Sequence, residues 1–404
     1  MIRYCSRLLY SGCSSFSTTA AVAASTTTTA TATETATDTK TKDTKNMVGI
    51  SKEELNRQLT ENHQFQPYRV NQVWSWLYNK GQRTFDNFSN LSNVQRDTLN
   101  KHYHIDYGTV EKDQLSVDGT RKMLIGYAGQ EVESVFIPEA RRGTLCVSSQ
   151  VGCTFGCTFC FTGTQKLVRN LTAGEIVGQV MMARSLMNDF GHTTEKRLLS
   201  NVVFMGQGEP LYNYRNVSAA LRILTDPSGL SLSKSRITVS TSGVVPLISR
   251  LGQDFPGIGL AISLHASNNK TRSEIVPINQ QWPIEELMQA CRDFSTLNTN
   301  KITIEYVMLR GVNDSDEDAI QLAKLISTFP SLVNLIPFNS WPGAPYQCST
   351  TEQIKRFAAV LDRAGLKVTV RQPRGRDILA ACGQLKTESV KIKKTLPGPP
   401  SPLD

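Results

Sequence analysis

The hydrophobic residues of this chain change their spacing twice. Between residues 52 and 78 they recur at intervals of three and four, with Val70, Val73, Trp74 and Leu77 on one face, so helices are predicted over 52–59 and 70–78. Phe85, Phe88 and Leu91 precede a further helix-like stretch that ends near His102. Residues 106–138 then alternate apolar with polar, turning at Asp118 and Gly119, and 131–137 reads as a strand. Beyond them, apolar runs at 145–149, 201–205, 237–240, 259–264, 303–308 and 333–338 alternate with helix-like segments, and a last run at 367–372 closes the series. Thr172 with Glu175, and Ser349 with Glu352, form capping boxes that open two of those helices. Six successive βα units predict an α/β fold with parallel strands, as a closed or partial barrel or a doubly wound sheet. In each case ligands gather beyond the carboxyl ends of the strands.

The residues with chemistry stand at those ends. Cys153, Cys157 and Cys160 form C-x₃-C-x₂-C just past the first strand of the series. A structural zinc would need a fourth ligand, and the nearest later candidates, His192, His265 and Cys291, fall outside the usual spacing. Three thiolates suit an iron–sulfur cluster with one iron open to a further ligand, although such clusters are usually closed by four protein ligands. Past the second strand comes Gly206-Gln207-Gly208-Glu209-Pro210, whose small residues admit close backbone approach of a ligand and whose carboxylate can accept from an ammonium or hydroxyl. Ser240, Ser263, His265 and Asn339 end further strands, and polar groups at several strand ends build a pocket. Taken singly, each serine or asparagine also reads as a helix cap, and His265 as a core histidine.

Composition adds an address and a partner class. With 404 residues and 39% hydrophobic content the chain supports one large domain and a smaller one. No apolar stretch approaches the roughly 18 residues that span a bilayer, so no membrane segment is predicted. The first 33 residues hold Arg3 and Arg7 with no acid, and Ser, Thr and Ala dominate 11–37. That is the composition of a transit peptide, with the mitochondrial matrix the favoured destination and a plastid or the cytoplasm the alternatives, or of a low-complexity tail without an address. Without residues 1–45 the chain keeps 39 basic against 32 acidic residues, a modest excess compatible with RNA. Seven of the nine cysteines follow that leader, without the spacing of a disulfide framework.

The cysteine triplet followed by G-x-G-E-P resembles the radical S-adenosylmethionine (SAM) superfamily. Longer strings resemble its RlmN-type adenine-C2 RNA methyltransferases: LCVSSQVGC from Leu145 to Cys153, Arg169-Asn170-Leu171, Ser240-Thr241-Ser242-Gly243, Pro342-Gly343-Ala344-Pro345-Tyr346 and Ala380-Ala381-Cys382-Gly383-Gln384-Leu385. The resemblance runs from about Phe65 to Leu385 and implies a partial (βα)6 radical SAM barrel with a small N-terminal helical domain. It implies a [4Fe-4S] cluster on Cys153, Cys157 and Cys160, and SAM bound by Gly208, Glu209, Ser240, Ser263, Leu264, His265 and Asn339. Cys382 matches the thiol that carries a methyl group from a first SAM, before a radical made from a second SAM activates it for attack on adenine. Cys146 matches the thiol that resolves the RNA–enzyme bond through a transient disulfide with Cys382, and Glu133 matches the proton acceptor. The implied partners are large-subunit rRNA, tRNA at the adenine beside the anticodon, and a one-electron donor such as flavodoxin or ferredoxin, serving a monomeric enzyme.

Phe161 and Gln207 depart from the family, which has a small residue and a methionine at these places; both departures are expected to tune the site. The division expected is 1–48 leader and disordered linker, 49–104 helical domain that binds RNA or caps the barrel, 105–138 connecting β segment, 139–373 core, and 374–404 carrier segment and disordered tail. Alternatives are an adenine-C8 methyltransferase of the Cfr type and a noncatalytic iron–sulfur RNA-binding or ribosome-assembly factor.

Overall fold

The computed structural model describes residues 44–139, 142–191 and 196–387. Most of the leader, the tail from 388 and His192 lie outside them. Ten strands form one sheet: β1 (Thr109–Leu115), β2 (Arg121–Tyr127), β3 (Gln130–Pro138), β4 (Gly143–Cys146), β5 (Leu199–Phe204), β6 (Ile237–Thr241), β7 (Gly259–Ser263), β8 (Ile302–Met308), β9 (Ser331–Pro337) and β10 (Lys367–Val370). Their order across the sheet is their order in the chain. Strands β1 to β4 pair antiparallel and β4 to β10 parallel. A doubly wound sheet reverses its strand order at a switch point, and this one does not. With β1 and β10 as free edges of the sheet, the arrangement is a partial barrel.

The parallel strands are short, apolar and rich in Val, Ile and Leu because helices cover them. Val202, Ile237, Val239, Ile262, Ile302, Ile304, Val333 and Leu335 are all fully buried. Helix α4 (Ala173–Leu186) is buried almost all round and opens with the expected Thr172–Glu175 capping box. The other expected box does not form, and a single cap stands one residue later. Helix α10 (Thr351–Arg363) is capped by Thr350, which accepts from the Gln353 amide, while Ser349 is buried and bonds Met308 through its backbone.

The N-terminal module is helical as its periodicity indicates. Helices α1 (Lys52–Arg57) and α2 (Pro67–Trp74) each continue into a wider π turn, and α3 (Asn93–His102) follows a capping box at Ser92 and Gln95. Val70, Val73, Trp74 and Leu77 are all buried. The module starts before the expected boundary at residue 49. Lys45–Asn46 pairs with Tyr103–His104, and Met47 and Val48 are buried, so 44–48 belongs to the module. The module is fastened to the barrel at Asp226, which accepts from Trp74 Nε1 at 3.1 Å and pairs with Lys52 at 3.5 Å. Gly49 adds a close approach: its φ is +90° and a Cβ there would run into the Gly174 backbone, so only glycine fits.

The segment leaving β4 fixes where the site lies. Val147, Ser148, Ser149, Gln150 and Val151 are at most 1% exposed yet, but for the short Gln150–Val151 pairing with Arg169–Asn170, they lie outside regular structure. Their backbone groups must therefore find partners other than water. Val147 N donates to Val203 O, and Gly206 N to Val147 O. Gln179 on α4 accepts from Ser148 N at 2.8 Å, donates to Ser148 O at 2.9 Å and accepts from Ser134 Oγ at 2.6 Å. The Gln207 carbonyl takes Ser149 N and Gln150 N, and Asn213 Nδ2 donates to Ser149 O at 2.8 Å. Replacing Gln179 by Leu leaves three of these groups buried and unpaired, at about 1–3 kcal/mol each before relaxation. Gln179→Leu is expected to lower the unfolding temperature by several degrees and to reduce the iron retained per chain, read by thermal unfolding and iron analysis.

Candidate active site

The cavity at the carboxyl ends of the parallel strands is lined by residues from all parts of the barrel. Cys153, Cys157 and Cys160 face it from the loop after β4. They lie among partly buried groups, and burial pushes the Cys153 thiol up to about 12 and raises Cys157 and Cys160, with Cys160 adding to the rise of Cys153 and Cys157, and Cys382 to that of Cys160. Arg272, fully buried near Cys157, opposes that rise. The Phe155 amide donates to Cys153 Sγ at 3.4 Å. Among the described residues no three ligating side chains converge as around a single ion. Three thiols on one loop suit a polynuclear cluster, in which each binds a different iron and one iron stays open.

Opposite the thiols, Gly208 has φ +93° and lies against the Gln150 side chain, which a Cβ would strike. Gln150 Oε1 accepts from Glu209 N at 2.9 Å, which ties the G-x-G-E loop to the buried segment. Glu209 is buried, with Oε1 accepting from Leu211 N at 3.0 Å and Oε2 from Ser242 N at 2.9 Å. Desolvation outweighs both bonds and brings its carboxyl up to about 7. Ser240 and Ser263 place their hydroxyls 3.4 Å apart across β6 and β7. His265, at φ +61°, accepts from Val307 N through Nδ1 at 3.1 Å, so its proton is on Nε2. Burial pushes its pKa down to about 3, and the ring is neutral.

Leu264 is the exception among the expected SAM-contacting residues. Its side chain is fully buried, it does not line the cavity, and its carbonyl takes Arg272 Nε at 3.0 Å. Arg272 also donates to Ser242 O at 2.6 Å and Asn279 Oδ1 at 2.9 Å, fastening the ends of β6 and β7 together.

Cys382 and Gly383 reach the same cavity from a turn near the end of the described residues. The turn is held to the cluster loop and to the end of β9. Phe161 N donates to Gly383 O at 2.8 Å, Asn339 Nδ2 to Cys382 O at 3.2 Å, and Thr162 Oγ to Leu385 O. Asn339 therefore engages the carrier turn in this state. Cys146 lies behind Cys382, outside the cavity lining, against Val135, Ala380 and Leu385. Burial first and Cys382 second push its thiol up to about 12. All seven described cysteines are free thiols, Cys146 and Cys382 included. Glu133 also lies outside the lining, on β3 below the carrier segment.

The two departures have defined contacts. Phe161 stacks on Trp341 with centroids 4.9 Å apart, and Lys386 Nζ sits 4.3 Å from its ring. Gln207 turns away from the cavity: Oε1 accepts from Glu133 N at 3.1 Å and Nε2 donates to Gln165 at 3.3 Å. Sequence reasoning missed Arg371 and Glu305, which line the cavity. The Arg371 guanidinium is raised chiefly by Cys382, and further by Glu305 and Cys146. An arginine ending the last strand run is the same kind of signal that singled out Asn339.

An open parallel barrel with three loop cysteines at its carboxyl end defines the class of radical SAM enzymes. The chain matches the radical SAM superfamily over residues 147–323 and the ribosomal RNA large subunit methyltransferase N-terminal domain over 45–105. It is 55% identical to the dual-specificity RNA methyltransferase RlmN of Parvibaculum lavamentivorans, over 80% of this chain and 84% of that one. It is 51% identical to that of Bradyrhizobium sp., over 86% and 89%. A crystal structure of a radical SAM methyltransferase from Sphaerobacter thermophilus superimposes with TM-score 0.79 at 40% identity, covering 85% of this chain and 99% of that one. The chain thus belongs to the RlmN family of radical SAM RNA methyltransferases. Its cofactors are a [4Fe-4S] cluster and SAM.

The raised carboxyl of Glu209 has a thermodynamic consequence. Between pH 4.5 and about 7 the folded chain holds a proton there that the unfolded chain has lost. This contribution is present in full below 4.5 and is lost as pH rises through about 7, with a span of roughly 3 kcal/mol. Burial raises Glu133 and Glu305 in the same sense. Cluster-free protein is expected to show a falling urea midpoint from pH 5 to 8, with a shallower fall in Glu209→Gln; an equal slope in the variant refutes the assignment.

Proposed function

We propose that this RNA methyltransferase places its methyl group on C2 of adenine, in large-subunit rRNA and in tRNA at the adenine beside the anticodon, through S-methylated Cys382. The observation that carries the reading is the position of Cys382, which lies 222 residues beyond Cys160 in sequence and lines the same cavity as the cysteine triplet. A carrier thiol must meet both the methyl source and the base. The relatives named as dual-specificity RNA methyltransferases, and the N-terminal match to a large-subunit rRNA methyltransferase domain, support the two RNA classes.

When bound, the cluster supplies the electron that cleaves SAM, and SAM supplies the methyl group and the radical that activates it. Cys153, Cys157 and Cys160 hold the cluster. Gly208, Glu209, Ser240, Ser263, His265 and Asn339, with the backbone at Leu264, hold SAM; the neutral His265 ring presents its Nε2–H as a donor. C2 of adenine is not nucleophilic, so polar methyl transfer to it fails and a covalent carrier divides the task. Cys382 carries the methyl group to the base, and the half-buried Cys146 attacks the Cys382 sulfur, breaking its bond to the transferred carbon, which leaves with the electron pair and takes up a proton as the disulfide forms. Glu133 accepts the proton lost from C2. The target base leaves its stack to enter the cavity, and the exposed Arg374 and Arg376 beside the carrier turn contact phosphate, an attraction that weakens with salt. The electron donor is a flavodoxin or ferredoxin, and the protein acts as a monomer.

Anaerobic incubation of cluster-reconstituted protein with SAM, reductant and RNA is expected to yield 2-methyladenosine by nucleoside mass spectrometry. The alternative product, 8-methyladenosine, would transfer the chain to the C8 branch. Cys382→Ala should reduce product to background, whereas Cys146→Ala should accumulate a covalent RNA–protein species on a denaturing gel.

The leader composition supports delivery to the mitochondrial matrix. Because Met47 is buried, processing should leave an N-terminus between residues 20 and 44. Terminal sequencing tests this, and intact 1–45 in organelle-free cytosol would overturn it.

A further inference from the structure

The antiparallel pairing of β2 with β3 sets Lys122 opposite Val135 and Leu124 opposite Glu133, so Lys122 and Glu133 are diagonal neighbours on one face of the sheet. Their side chains are 10% and 6% exposed, and Lys122 Nζ lies 2.9 Å from Glu133 Oε1. The same ammonium donates to Leu379 O at 3.3 Å. Leu379 is a non-glycine residue at φ +51°, three positions before Cys382, so this bond helps hold a backbone shape that leucine seldom adopts. The other carboxylate oxygen, Oε2, accepts from Lys386 N at 2.6 Å, four positions after Cys382. Lys122 and Glu133 together therefore clasp the carrier segment on both sides of its thiol.

We propose that Lys122 is a positioning residue for the methyl transfer: it keeps Glu133 ionised in its buried site and fixes that carboxylate against the segment bearing Cys382. The inference rests on the reading of Glu133 as the proton acceptor. A base must be unprotonated before it can act, and burial works against that here. Of the groups around the Glu133 carboxylate, Lys122 on β2 and the Lys386 amide favour its charge, while Glu131 on the same strand disfavours it. Gln207 and Ser148 bond the Glu133 backbone and leave the carboxylate to its two partners. An opposite charge at this range moves a carboxylate by about 1–3 pH units, so removing the ammonium is a large change in a buried site.

The test is the pH profile of the single-turnover methylation rate, measured from pH 5.5 to 9 on a tRNA transcript with the full-length, cluster-loaded protein. Lys122→Met is expected to move the acid limb upward by about 1–3 units, which at a pH on that limb is at least a tenfold loss that alkali restores. Lys122→Arg should keep the limb near its original place. Variants are compared at equal iron content, and Lys122→Gln replaces Lys122→Met where the latter does not load. A limb that stays in place in both neutral variants, or a loss uniform across pH, overturns the proposal. Glu133→Gln separates the two ideas: full activity in this variant would refute the role of Glu133 itself, whereas an inactive Glu133→Gln beside an unshifted Lys122→Met refutes only Lys122.

Discussion

Everything at the carboxyl end of this barrel depends on pairing the backbone of a buried segment that has almost no regular structure. Residues 147–151 carry the chain from the first parallel strand to the cysteine loop through the interior, where an unpaired amide or carbonyl is costly. The partners are side chains from elsewhere in the chain, Gln179 from α4 and Asn213 from the turn before the helix Tyr214–Thr225, together with the carbonyl of Gln207. The G-x-G-E loop is bonded to the same segment through Gln150. One set of hydrogen bonds thus sets both the wall that bears the thiols and the wall that faces them.

The second organising feature is the distance in sequence between groups that share the cavity. The cysteine triplet, the strand-end polar groups and Cys382 come from loops that only a sheet threaded in strict chain order brings to one end. Charges buried there are each answered locally. Arg272 is bound to carbonyls at the ends of β6 and β7, Glu305 accepts from Asn334 at 2.7 Å, and Glu133 is paired with Lys122. Fixed dipoles and charges buried around a cavity interact more strongly than they would in water.

Much of this was legible in the chain, for identifiable reasons. Buried parallel strands are rich in Val, Ile and Leu, so 237–240 and 333–338 announce themselves, and the helical module shows in the spacing of Val70, Val73, Trp74 and Leu77. Strand order was not legible, because periodicity reports the faces of an element and never its neighbours. The cap at 349–352 shifted by one residue because two hydroxyls stand side by side and burial claimed Ser349. Leu264 sits in a matching motif, but a motif does not say which way a side chain points. Lys122 was invisible because its partner, Glu133, lies on the adjacent strand, and its importance comes from register. Gln207 reads as a change in the ligand loop, yet its side chain turns to the strand of Glu133.

The carrier segment is attached largely by hydrogen bonds. Its apolar contact is a small cluster around Val135, Ala380 and Leu385. Releasing apolar surface raises heat capacity and makes an opening equilibrium curve with temperature, whereas releasing polar groups to water slightly lowers it. A fastening of this composition opens with little change in heat capacity. The free energy of opening then runs almost straight with temperature, so one enthalpy governs the freedom of the carrier thiol over the whole thermal range, without the turning point that a greasy lid shows.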